Sequence, residues 1–154
     1  GVVDEVMYPN TDAFMRFEYP SKLHPDVQAR AADVARRFLN AVGFDHGLFN
    51  MEFFHDEATD KITVIEFNPR MASQFSDLYL RVDGIDLHEI AFALAHGIDP
   101  ATLAREVPTA GATASFVYRS FDPKATVPFP SFVQKTTFRK AFPEIFEGGG
   151  PKRQ

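Results

Sequence analysis

Two apolar runs, Leu48 to Phe54 and Ile62 to Phe67, flank the polar segment His55-Asp56-Glu57-Ala58-Thr59-Asp60-Lys61, and each run carries one carboxylate, Glu52 or Glu66. Runs of this length on either side of a polar turn specify a β-hairpin. Both strands read as apolar on both faces, which predicts a place in the middle of a layered α/β structure. An ionised carboxylate among apolar neighbours is costly, and two on adjacent antiparallel strands also repel. Where the connection has an odd residue count, both side chains point to one face of the pair. Asn68 and Arg70 follow on that face by the period of two, with Pro69 a candidate end to the strand before Arg70. Two acids and an amide oxygen suit a hard divalent cation, and Mg²⁺ completes its shell with waters and substrate phosphates. The arginine fork suits a phosphate or carboxylate oxygen. The residues alone leave a second reading open, in which each Glu caps an edge strand or joins a Lys or Arg in a structural ion pair.

The 154 residues fit one domain. Seventeen Phe and no Trp must be buried as large flat rings, which favours a packed sheet over a small helical bundle. A formal net charge of -5 argues against a nucleic-acid surface. The absence of Cys excludes disulfides, thiolate metal sites and a Cys nucleophile. No apolar run approaches a membrane span and no secretory pattern opens the chain, so the expected location is cytoplasmic, with no membrane partner. Gly rather than Met at position 1 suggests a start inside a longer polypeptide or after a cleaved tag.

Along the chain, Gly1 to Met7 is a candidate strand, and Ala13 to Tyr19 a candidate edge strand ending at Pro20. Residues 25 to 42 form the clearest helix, with Val27, Ala31, Val34, Phe38, Leu39 and Val42 on one stripe, Pro25 in its first turn and Gly43 as its cap. Its other face, Gln28, Arg30, Asp33, Arg36 and Arg37, reads as solvated surface. A second helix runs from Leu87 to His96, opened by Asp86 with Glu89 and closed by Gly97, and a short third starts at Asp99-Pro100 toward Glu106. Thr113 to Tyr118 and Phe132 to Phe138 read as strands, and 148 to 154 as a disordered tail. None of the five His residues has a metal-binding spacing with another.

Glu66-Phe67-Asn68-Pro69-Arg70 after an apolar strand, with Glu52 on the strand before, resembles the metal-binding hairpin of the ATP-grasp superfamily, which ends this strand in E-[hydrophobic]-N-[PT]-R. The flanking order agrees: Tyr19-Pro20-Ser21-Lys22-Leu23, the long helix, Gly43-Phe44 and Gly47 precede the hairpin, and Asp83-Gly84-Ile85-Asp86-Leu87 follows it. The likeness covers roughly residues 15 to 100 and implies an α+β fold. In it an antiparallel sheet is flanked by helices: the C-terminal half of an ATP-grasp domain over residues 1–110, with a β-rich extension over 111–147.

The resemblance also implies roles. Glu52 and Glu66 would bind Mg²⁺, with Mn²⁺ as an alternative ion. Glu66 would bridge two ions, and Asn68 would complete the site. Arg70 would act catalytically on the γ-phosphate or an acyl phosphate. Phe54 would pack on the adenine of ATP, or else belong to plain core. The lysines, glycine-rich flap and hinge strand of such enzymes are not among these residues, so the missing N-terminal part of the same enzyme is an expected partner. The oligomeric state is left open, a dimer being one form.

Biotin carboxylases resemble the segment but continue from the arginine with I-Q-V-E-H, whereas Met71-Ala72-Ser73-Gln74-Phe75 stands here. The implied activity is therefore that of a carboxylate–amine ligase with small-molecule substrates, with the loop Met71 to Asp77 bordering the acceptor. Ser73 and Gln74 are candidate substrate contacts or a structural turn. Biotin-carboxylase-like carboxylation and a non-catalytic binding or assembly module are the alternatives.

Overall fold

Strand β2 (Phe14–Tyr19) lies between β1 (Asp4–Met7) and β5 (Thr113–Phe116) in a three-stranded antiparallel sheet. The computed structural model describes residues 1–122, 124 and 131–143. The chain divides into two compact units, Gly1–Tyr118 and Arg119–Gln154. The expectation of an edge strand at 13–19 is thus corrected: β5, distant in sequence, closes the open side of β2. Tyr8 Oη adds a bond to the Val117 carbonyl at 2.8 Å.

Helix α2 (Ser76–Asp83) covers this sheet. Phe17 and Tyr19 are buried together with Ala72, Phe75 and Leu78. Phe17 meets Phe75 edge-on at 5.2 Å between ring centres. The sequence reading passed over α2, although Phe75, Leu78, Tyr79 and Val82 recur at helical spacing. Gly84 caps it at φ 67°, where a Cβ would sit 1.9 Å from the Glu106 carbonyl oxygen. Only glycine permits both that conformation and that approach.

Helix α1 (Pro25–Val42) starts and ends as its sequence dictates, with Pro25 in the first turn and Gly43 left-handed at φ 68°. Val27, Ala31 and Ala35 are its buried residues, while Val42 is exposed. It packs on the hairpin β3 (Asn50–Asp56) and β4 (Lys61–Asn68): Phe38 lies 4.9 Å from Phe67, which also meets Phe44 and Phe49. The face of α1 read as free surface is partly engaged, because Arg30 holds Asp60 in the hairpin turn at 2.5 Å.

The hairpin itself is a separate two-stranded sheet, not the centre of a layered structure. One face meets the aromatic cluster under α1; on the other, Phe54 is 61% exposed. Continuous apolarity here did not mean burial on both sides.

Helix α3 (Leu87–Ala95) is capped by the Asp86 carboxylate, which accepts from the amides of His88 and Glu89. Asp86→Ala is expected to cost about 1 kcal/mol in chemical denaturation; an unchanged midpoint would remove the cap from the stability argument. The segment after Asp99 makes only a 3₁₀ turn, Pro100–Thr102, rather than a helix reaching Glu106.

In the second unit, Phe132–Ala141 is a helix, α4, where a strand was expected. Ser131 and Gln134 form a reciprocal capping box, a start signal that outweighs the β-propensity of Phe132 and Val133. The described residues between 111 and 147 therefore hold one strand, paired into the first sheet, and one helix rather than a β-rich extension. The expected disordered tail lies outside the described residues. The architecture is α+β.

Candidate functional site

The turn sets a register that runs Asp56↔Lys61, His55↔Ile62, Phe54↔Thr63 and Phe53↔Val64. Continued without a break, it would place Ile65 opposite Glu52 and turn Glu66 to the other face. A shift between Glu52 and Phe53 makes Ile65 the extra residue and brings Glu66 directly opposite Glu52. One inserted residue thus decides that the two carboxylates share a face. Asn50↔Asn68 forms the next rung, with no further shift, so Asn50, Glu52, Glu66 and Asn68 leave the same side of the ribbon. Phe54 follows Glu52 on that side by the period of two. Its ring is exposed among the described residues.

Burial is the main reason the Glu52 carboxyl titrates above its usual range, with the Glu66 charge adding to it and the Arg70 charge opposing it. Arg70 therefore acts electrostatically on Glu52, while among the described residues its exposed side chain donates to the Met71 carbonyl at 3.4 Å. Asn68 Nδ2 donates to Glu66 Oε1. Asn50 Oδ1 is shielded from solvent and accepts no hydrogen bond from any described residue.

A third acid, missed in the sequence, belongs to the same field. Glu5 on β1 is half-buried and its carboxyl is raised to about 7, first by burial and then by the charges of Glu52 and Glu66. Its signal in the sequence was weaker than that of the hairpin acids, because Asp4 precedes it and only Val6 and Met7 follow as apolar neighbours. Its neighbour Asp4 is engaged elsewhere, accepting from Ser21 Oγ and from the Lys22 amide at 2.7 Å. Among the described residues no three His, Cys, Asp or Glu side chains are close enough together to hold a metal ion by themselves.

Ser73 and Gln74 are exposed in a 3₁₀ turn, Ser73–Phe75, that leads into α2, while Ala72 and Phe75 are buried. The histidines have local partners: Asp60 lies 2.9 Å from His55 Nε2, and the Phe92 carbonyl 2.8 Å from His96 Nδ1 at the end of α3. A concavity lined by Ile85, Asp86, Glu89, Ile90, Leu103 and Arg105 shares no residue with the acid-bearing face.

No protein-family model matches the chain. It is 36% identical over 80 residues, 51% of its length, to the carbamoyl phosphate synthase large chain of Pseudothermotoga lettingae. Over 90 residues, 58% of the chain, it is 37% identical to carnosine synthase 1 of Gallus gallus. The large chain of Xylella fastidiosa (strain Temecula1) matches at 34% over 87 residues, 56% of the chain. The similarity supports the ATP-grasp resemblance. The matched regions span 7%, 10% and 8% of those three relatives, so the likeness concerns a small part of much longer ATP-grasp proteins. No described helix is long and apolar enough to cross a membrane.

Proposed function

We propose that this chain, as the C-terminal half of an ATP-grasp domain, contributes the magnesium–nucleotide part of an ATP-dependent ligase site. Such a ligase activates a carboxylate as an acyl phosphate for attack by an amine. One observation carries this reading: the bulge at Ile65 sets Glu66 against Glu52 on the side that also exposes Phe54. A fold gains nothing from two like charges held opposite each other, and a site without a ligand has no reason to keep them.

The donor set fits a magnesium ion. Glu52, Glu66 and Asn68 offer only oxygen ligands, the hard kind such an ion takes. A cation there would offset both the burial that chiefly raises Glu52 and the Glu66 charge that adds to it. The shortage of further acids leaves coordination positions for water and phosphate oxygens, which is how Mg²⁺ is commonly held beside polyphosphates. Glu52, Glu66 and Asn68 would hold the ion, with Mn²⁺ as a substitute; when bound, it supplies positive charge against the phosphoryl oxygens. Arg70 would face the γ-phosphate and then the acyl phosphate with its guanidinium fork. Phe54 offers an exposed ring for the adenine to stack on.

The chemistry balances simply. A carboxylate oxygen forms a bond to the γ-phosphorus as the bond to ADP breaks. The amine then attacks the acyl carbon, and phosphate departs with one former carboxylate oxygen. With isotopically labelled carboxylate substrate, the complete enzyme is expected to release labelled inorganic phosphate. Product formation with label-free phosphate would overturn the acyl-phosphate reading. Labelled phosphate arising from bicarbonate instead would favour carboxylation.

The chain by itself is expected to bind ATP only weakly, because the flap, hinge strand and lysines of ATP-grasp enzymes would come from elsewhere. Titration calorimetry on the 154-residue protein is the check, and micromolar affinity would contradict the division of the site.

A further inference from the structure

The rung beside the acid pair contains an oxygen with nothing to do. Asn50 stands opposite Asn68, two residues from Glu52↔Glu66, and no register shift separates the two rungs. Directly opposed side chains start about 5 Å apart and rungs two residues apart about 7 Å, so all four polar groups can converge on one small ion. The two amides differ in their engagement. Asn68 turns its Nδ2 to Glu66 Oε1, whereas Asn50 Oδ1 is cut off from solvent and receives no donor from the described residues. A shielded amide oxygen without a partner is unfavourable, and a bound ion or water is one way such a group is satisfied. Among the described residues the two other shielded atoms in this condition lie elsewhere: His55 Nδ1 is on the opposite face of β3, and Thr113 Oγ1 is on β5. Of these three atoms, Asn50 Oδ1 alone belongs to the face that carries Glu52 and Glu66.

We propose that Asn50 Oδ1 is a further oxygen ligand for the divalent cation held by Glu52 and Glu66. This rests on the ligase-site reading given above. The amide adds an oxygen without adding charge, which suits a site already carrying two carboxylates and, through Glu5, a third within electrostatic reach. The cation would also remove the cost of leaving Oδ1 unpartnered.

The test titrates Mn²⁺ alone into the whole 154-residue protein and reads water-proton relaxation. Asn50→Leu is expected to weaken Mn²⁺ binding about tenfold without lowering the metal-free melting temperature, because an apolar group replaces an orphaned oxygen. Asn50→Asp restores an oxygen of the same reach and is expected to bind at least as tightly as the parent. Should Asn50→Leu match the parent while Glu66→Gln loses the ion, Asn50 is no ligand but the acid site stands. Loss of Mn²⁺ in Asn50→Asp as well as Asn50→Leu would likewise overturn the assignment. If the parent shows no Mn²⁺ binding, or Glu66→Gln leaves it unchanged, the ligase-site reading falls together with this proposal.

Discussion

Glu66→Gln in the complete enzyme is expected to lower turnover about hundredfold or more, while Glu57→Gln in the hairpin turn leaves it near normal. A carboxylate beside a divalent ion offsets positive charge at the point where phosphoryl charge develops, and an isosteric amide cannot. Removing one such electrostatic contribution typically costs about two orders of magnitude or more in rate. The same change removes a charge directly opposite Glu52, and one that also acts on Glu5. Relief of cross-strand repulsion is worth up to about 1 kcal/mol, and a glutamine oxygen can still accept from Asn68. Metal-free stability should therefore rise as activity falls. Normal turnover, or outright unfolding, would make Glu66 structural and end the catalytic assignment.

The hairpin, α1 and α3 were legible because their signals are local: apolar runs on either side of a polar turn, Pro25 and Gly43 at the ends of α1, and Asp86 and Gly97 around α3. The pairing of Glu52 with Glu66 was legible only as a condition. Sequence spacing allowed a shared face, but the four residues of the turn by themselves would have produced the opposite one. The deciding element is the extra Ile65 in β4, and no residue type announces such a bulge. Long-range pairing was equally silent. That β5 lies against β2 follows from the path of the chain after α3, which returns across Gly84 and Arg81 through bonds from Glu106, Thr109 and Ala110. The strand expected at Phe132 to Phe138 gives way for a different reason: the Ser131–Gln134 capping box starts a helix there against the β-propensity of the apolar side chains. Asn50 and Glu5 escaped notice because their significance depends on what stands opposite them, in one case an asparagine across the hairpin and in the other acids from a different sheet.

Glu5→Gln is expected to stabilise the protein at pH 8 and to leave it unchanged near pH 4. The folded-state carboxyl titrates at about 7 against an ordinary 4.5, so the folded chain holds this proton more tightly than the unfolded one. Below the unfolded value both states are protonated and the group has no effect. As pH rises from there through about 7, the unfolded chain ionises first and stability drains away. Above that range the folded state carries a half-buried charge beside two others. Each pKa unit is worth about 1.4 kcal/mol; with partial solvent access the realised difference should be on the order of 1–2 kcal/mol. The Glu52 carboxyl, raised by the same two causes, drifts in the same direction. The lowered carboxyls of Glu18, Asp56 and Asp60 act oppositely, losing their contribution only as pH falls below the usual carboxylate range, and they cancel between parent and variant. Chemical denaturation of both proteins at pH 4, 6 and 8 gives the comparison. A gap that does not widen with pH would mean that Glu5 does not feel the acid pair. If the gap is present, saturating Mn²⁺ should narrow it but not close it, because the cation would neutralise Glu52 and Glu66 yet leave the desolvation of Glu5 in place.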